Sequence, residues 1–391
     1  MKFTSAATTD RDAGQAVRAL AKQIDHAEPD LLVVFISADF THDVRTIVDG
    51  LDASLNPRLL IGCTAEGVIS QDCEIENEPA VVSMAGWLPG VELTPFLLQA
   101  AASDWPTLLL SEEEFCRMVG APPDTQLVML LGDPFSTPMD DLLEAFNTHC
   151  SGIPLVGGIA SGGLRPHGNA LFINDQIVQE GVVGVAFSGQ VDIDIVVSQG
   201  CRPIWRPFKI VTARQNVIFN LEGRPPLAWL QDLIPGLPEE DRALLQNGLY
   251  VGRAIKTGQE ALGRGDFVIR GVMGIDQESG AIAIGDSVMD GQVIQFHLRD
   301  AVTAQEDLEM MLIPQMFRDG PNGALLFTCN GRGTRLYDRP NGDISVIQKN
   351  IQDTPLAGFF CAGEIGPIGD VNFIHGQTAT LVLFRQAESA W

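Results

Sequence analysis

Two segments in opposite halves of the chain repeat one step. RLLIGCTAEG (58–67) and LAGFFCAGEI (356–365) each carry an apolar run of strand length into Cys, then two small residues, then Glu, at 63–66 and at 361–364. A continuous apolar run reads as a strand buried on both faces, so a lone carboxylate among small residues marks the point where such a strand leaves the core. Two more apolar runs end in the same manner: PLVGGIASGG (154–163) and LLFTCNGRG (325–333), the latter with Arg332 between glycines. Small residues at a strand end let a ligand approach the backbone and leave amides available to donate, while a single charge fixes orientation. They also make plain turns, and the sequence leaves both readings open.

Further strands are expected in LLVVFIS (31–37), AVVSMAGW (80–87) and TQLVMLLG (125–132). A helix is expected over 138–149, with Thr137 as its cap, Pro138 in its first turn and Met139, Leu142, Leu143 and Phe146 on one face. An Asn-Asp turn at 174–175 joins two strands. FKIVTARQNVIFNLEGRPPLAWLQDL, from 208, reads as a strand pair, a turn and a helix opened by proline. Hairpins fill 266–298, and the helix after them has Thr303 and Glu306 spaced as a capping box, with Pro314 ending or bending it. At 391 residues and 45% hydrophobic, the chain exceeds one ordinary domain. These features predict a mixed α/β (α+β) protein of two pseudo-equivalent lobes, each of mixed β-sheet covered by helices, cut into domains 28–223 and 224–388.

Charge narrows the function classes. Fifty acidic residues against 25 basic give a formal net charge of −25, which disfavours nucleic acid and anionic lipid surfaces as partners. The seven cysteines form no CxxC pair and read as reduced thiols. The N-terminus lacks the apolar core of a signal peptide, and no apolar run approaches the roughly 20 residues of a membrane helix. A cytoplasmic protein without membrane insertion is the expectation.

Arg332 is suited to gripping a carboxylate and Glu364 to accepting from an ammonium group, which together fit a zwitterion such as an amino acid; alternatively the two pair with each other. His375, three residues after Asn372, is placed to donate into the same pocket, to serve as an axial haem ligand, or to be satisfied within a core. Cys329 and Cys361 with His375 offer the ingredients of a cysteine hydrolase, yet no nucleophile elbow accompanies them. No phosphate-binding loop is present.

The motifs NVIFNLEGRPPLAWL, LLFTCNGRG, LAGFFCAGEIGPIG and NFIHGQTATLVLF, supported by LLIGCTAEGVI and PLVGGIASGG, resemble those of the FIST family, whose members carry an N-terminal and a C-terminal FIST domain. The resemblance implies a signal-input module that binds a small polar ligand, an amino acid or related carboxylate, and passes the signal to a separate partner such as a histidine kinase. It also implies an alternative, the haem-based gas (nitric oxide) sensor, with His375 as the haem ligand. A cysteine-dependent hydrolase is the second alternative; the leading expectation is a non-enzyme with no cofactor and no bound metal. Family motifs fall on Cys63, Thr64 and Glu66, on Cys329, Asn330 and Arg332, on Cys361, Gly363 and Glu364, and on Asn372 and His375. Glu66 stands one position away from the family's Ser-Thr-Ala-Gly-Glu pattern.

Overall fold

The computed structural model describes residues 1–101, 104–255, 262–263, 265–351 and 353–387. The domain end expected at 388 lies outside the described residues. The chain forms two compact units: residues 1–198, 308–374 and 378 onward make the first, and residues 199–307 with 375–377 make the second. The family-like cut at 223/224 therefore falls within the second unit.

Three parallel strand pairs organise the first unit: Leu31–Ser37 with Leu60–Ala65, Thr125–Gly132 with Leu155–Ile159, and Gly323–Cys329 with Leu356–Cys361. Five of these six strands are buried along their whole length, and Thr125–Gly132 is exposed at one residue. That is why they read as unbroken apolar runs rather than alternating ones. Each pair supports a six-stranded sheet. An antiparallel strand flanks the first member of each pair: Val81–Trp87, Val182–Gly189 and Thr378–Gln386, respectively.

The strand flanking the second member always comes from elsewhere. The chain leaving Leu60–Ala65 in the first sheet crosses to pair Gly67–Ser70 with the third sheet. The chain leaving Leu356–Cys361 in the third sheet crosses to pair Glu364–Ile368 with the second. Leu171–Ile173, downstream of the second sheet's Leu155–Ile159, pairs with the first. The repeat seen at 58–67 and 356–365 thus has a third member near 154–163, and its meaning is a cyclic exchange of strands among three sheets.

Side-chain alternation builds the core. Leu31, Val33 and Phe35, Leu127, Met129 and Leu131, and Phe327, Phe359 and Cys361 share one cluster fed by all three sheets; the ring of Phe35 lies 4.7 Å from that of Phe359 and 6.3 Å from that of Phe327. The intervening residues face helices. Leu32, Val34 and Ile36 meet Leu20, Ile47 and Leu51, while Val128 and Leu130 meet Leu142 and Phe146. Leu326 meets Leu308, Ile344 and Ile347. Mixed sheets covered by helices is the class the sequence indicated.

Local details refine that reading. The helix spans Met139–His149 with Pro138 as its cap residue, whereas Thr137 Oγ1 donates instead to Gly181 O at 3.0 Å. The helix Ala301–Leu312 begins before Thr303, so Asp300 does the capping: it accepts from Val302 N at 3.1 Å and from Thr303 Oγ1 at 2.8 Å. Pro314 falls where that helix gives way to a tighter turn over Ile313–Phe317. Asn174, at φ 51°, makes the turn between Leu171–Ile173 and Gln176–Val178.

The second unit is a closed six-stranded antiparallel barrel, in the order Cys201–Arg214, Val217–Leu221, Ile282–Ile284, Phe267–Ile275, Tyr250–Ala254, Val293–Arg299. Phe208, Ile210, Val251, Ile294 and Phe296 are among the residues of its core. The proline-opened helix expected after 224 is Pro226–Leu233.

Candidate functional site

The glycines at the strand exits serve the strand exchange. A Cβ on Gly158 would stand 2.3 Å from Cys361 Sγ, and one on Gly358 would stand 2.1 Å from Leu326 O. At these two positions the space that smallness creates is filled by a neighbouring strand, which corrects the idea that it admits a ligand there.

One strand exit does open. Glu66, between Leu60–Ala65 and Gly67–Ser70, borders a cleft of about 140 Å³ together with Asn330, Thr334, Arg335, Glu76 and Phe360. Glu66 Oε2 accepts from Asn330 Nδ2 at 3.2 Å and from Arg335 Nη1 at 3.2 Å, and Arg335 Nη2 pairs with Glu66 Oε1. Arg335 Nη1 also donates to Asn330 O at 2.7 Å. Hydrogen bonding to Glu66 holds the Arg335 guanidinium above its ordinary pKa. The pair is open to solvent, with side-chain exposures of 53% for Arg335 and 39% for Glu66.

Glu76, also lining the cleft, accepts from Thr334 N at 2.9 Å and from Thr334 Oγ1 at 3.0 Å. Gly333 makes that approach feasible. Its φ is 57°, and a Cβ there would stand 2.6 Å from Glu76 Oε1, so both the backbone conformation and the space require glycine.

Arg332, three residues before Arg335, has another environment. It is wholly buried, and Asp343, equally buried, accepts from its Nε at 2.8 Å and from its Nη2 at 2.5 Å. Tyr337 Oη accepts from Arg332 Nη2 at 2.8 Å and donates to Asp343 Oδ1 at 2.6 Å, and Thr328 Oγ1 donates to Asp343 Oδ2 at 2.9 Å. Burial opposes ionisation of Asp343, but the charge and hydrogen bonds of Arg332 outweigh it and hold the carboxyl below its ordinary value. The carboxylate in the grip of Arg332 is thus the chain's own.

Glu74 braces the same network from the other side. Asp343 N and Ile344 N donate to its Oε1 at 2.8 and 2.9 Å, and Gly342 N donates to its Oε2 at 3.2 Å, so it caps the helix Gly342–Asn350. Burial, then the nearby charge of Asp343, pushes the Glu74 carboxyl up to about 7.

The other expected site residues lie elsewhere. Cys63 and Cys361 are fully buried in the three-sheet core, and burial pushes both thiols up, away from the thiolate that a nucleophile requires. Thr64 Oγ1 accepts from Ala170 N at 2.8 Å. Cys329, at the end of its strand, accepts from Gly331 N at 3.4 Å. Gly363 O accepts from Ile159 N at 2.8 Å, and buried Glu364 accepts from Thr378 N at 3.2 Å. Asn372 ties segments together: it accepts from Leu155 N at 2.8 Å and donates to Ile153 O and to Asn147 Oδ1, both at 3.0 Å. His375, buried, closes the strand Val371–His375 and is grouped with the second compact unit.

The structure therefore gathers Glu66 and Asn330 at one open cleft and sets Arg332 in a closed network. The sequence reading did not single out Arg335, Glu76, Asp343, Tyr337 or Glu74. A signal existed for the two glutamates. In CEIENE (73–78) acids alternate with other residues, which places Glu74 and Glu76 on one face of the strand Glu74–Glu76.

A three-sheet unit with strand exchange, a barrel inserted in sequence and a charged cleft at one exchange point define the class. The chain matches the FIST N domain over residues 30–224 and the FIST C domain over residues 226–367, and it belongs to the FIST family. FIST domains are sensory domains of signal transduction. An uncharacterised protein of Mycobacterium tuberculosis strain H37Rv is 37% identical over 377 residues, covering 96% of each chain. An uncharacterised protein of Mycobacterium bovis is 39% identical over 375 residues, covering 95% of this chain and 94% of the relative. Among the described residues no helix is long and apolar enough to cross a membrane.

Proposed function

We propose that this FIST protein is a signal-input module that takes a small zwitterionic carboxylate, an amino acid or a close relative, into the cleft at Glu66, Asn330 and Arg335, and passes the signal to a separate partner protein. The observation that carries this reading is the solvent-open Arg335–Glu66 pair bordering a cleft that Glu76 also lines. A ligand carboxylate would take the Arg335 guanidinium, and its ammonium group would fall between the two glutamates.

Magnitudes decide which arginine answers to a ligand. An exposed ion pair is worth about 0–1 kcal/mol, so exchanging Glu66 for a ligand carboxylate costs little. Removing one partner from a buried pair costs about 3–5 kcal/mol, so Arg332 is held by Asp343. The signal would begin when Glu66 and Asn330 are released, because both are tied to Arg335. A thermal-shift screen of the standard amino acids and small dicarboxylates tests the reading, since a ligand that binds only the folded chain raises its apparent stability. A hit whose effect disappears in Arg335→Ala supports it; a hit of equal size in Arg335→Ala overturns it.

A further inference from the structure

We propose that Cys116 and Cys150 form a modification site, at which a hydroperoxide oxidises the two thiols to a disulfide that a thiol reductant reopens. Among the described residues Cys116 is the only exposed cysteine, and Cys150 is half-buried. Accessibility decides which thiol an oxidant in solution reaches first.

The packing of two helices brings the second sulfur to the first. Glu112–Val119 and Met139–His149 both cover the second sheet, where Phe115, Val119, Leu142 and Phe146 share a core with Val128 and Leu130. Phe115 is seated on the last turn of the longer helix: its ring lies 4.9 Å from that of Phe146, edge to face, and 5.6 Å from that of His149. Cys116, the next residue, is thereby set against the end of that helix, and its Sγ stands 4.0 Å from His149 O. Cys150 follows His149 directly, just past the helix, where its N donates to Phe146 O at 2.8 Å. The two thiols bear on each other's ionisation. Burial, then the charge and hydrogen bonding of Cys116, pushes the Cys150 thiol up to about 12. Cys63, Cys329 and Cys361 also lie near one another, but they are buried beyond an oxidant's reach.

Access and ionisation assign the roles. The Cys116 thiolate attacks one oxygen of hydrogen peroxide; the O–O bond breaks, Cys116 becomes a sulfenic acid and the other oxygen leaves, protonated, as water. The Cys150 sulfur, giving up its proton, then attacks Cys116 Sγ; the S–S bond forms, the S–O bond breaks and a second water leaves. Two thiols lose two electrons and two protons, and one peroxide becomes two waters. The new bond ties together the two helices that cover the second sheet.

Treatment of the full chain with excess hydrogen peroxide at neutral pH, followed by iodoacetamide and digestion, reads the link by peptide mass. The expected product joins the Cys116 and Cys150 peptides, is lighter than the two free peptides by two hydrogens, and returns to two alkylatable thiols with dithiothreitol. In Cys150→Ser the sulfenic acid at Cys116 persists and is trapped by dimedone, whereas in Cys116→Ser peroxide leaves Cys150 alkylatable. The proposal is overturned if both thiols of the parent stay alkylatable after peroxide, if Cys116 links to another cysteine or another chain instead, or if it passes to the sulfinic acid without linking.

Discussion

Arg332 and Arg335 sit three residues apart in GRGTR, carry the same side chain, and do different things. Arg332 is wholly buried against Asp343 and Tyr337, whereas Arg335 stands half in solvent against Glu66. The difference lies in the partner's depth. A desolvated pair is stiff because nothing else will solvate either charge, while an exposed pair can exchange partners with little loss. One arginine fixes the segment that holds the other at the cleft.

Breaking the closed side gives the largest expected effect. Asp343→Ala leaves the Arg332 guanidinium buried without its counter-charge and is expected to lower unfolding free energy by about 3–5 kcal/mol in urea melts. The double variant Arg332→Met/Asp343→Leu recovers most of that loss. A single variant within 1 kcal/mol of the parent, about the scale of an exposed pair, would show that the network is not desolvated as described.

The pH dependence of stability sharpens the same comparison. Glu74 has its folded pKa raised from 4.5 to about 7, so the folded state keeps a proton that the unfolded chain releases. Its contribution is full below about 4.5 and is lost as pH rises through about 7. His297, in the barrel, works in the opposite sense: burial lowers its pKa from 6.5 to about 4, so its contribution is full above 6.5 and is lost as pH falls through about 4. Denaturant melts from pH 4 to 8 should show the high-pH decline flattened in Glu74→Gln and unchanged in His297→Gln.

Gly333→Ala should cost about 1–3 kcal/mol, the scale of a residue forced into a sparsely populated backbone region, and should separate Glu76 from Thr334. The smallest stability change belongs to Arg335→Ala, within about 1 kcal/mol of the parent. Its effect appears instead as a lost ligand response.

Burial of the six paired strands was legible because apolar periodicity is a local property, and LLVVFIS or GALLFTC needs no partner to read as core. The Cys-small-small-Glu repeat was legible too, but its meaning was not. That Val68 lies opposite Phe359, or Glu364 opposite Gly158, is a pairing between distant segments, which no local pattern announces. The fate of Arg332 was hidden for a related reason: Asp343 lies beyond a turn and the short helix Thr334–Tyr337, and its brace, Glu74, comes from the other half of the chain. Glu66 was singled out as a lone carboxylate at an apolar strand end, and Asn330 through the motif CNGRG. Arg335 carried no comparable signal, because it lies in the short helix Thr334–Tyr337 rather than at the end of an apolar strand.

The most direct test is calorimetric titration, into the parent and into Arg335→Ala, of whichever amino acid stabilises the parent most. The proposed function requires affinity to fall at least about tenfold, equivalent to about 1.4 kcal/mol, while the melting temperature of the unliganded variant stays near that of the parent. An unchanged affinity, or a panel in which no amino acid or small dicarboxylate stabilises the parent, contradicts it.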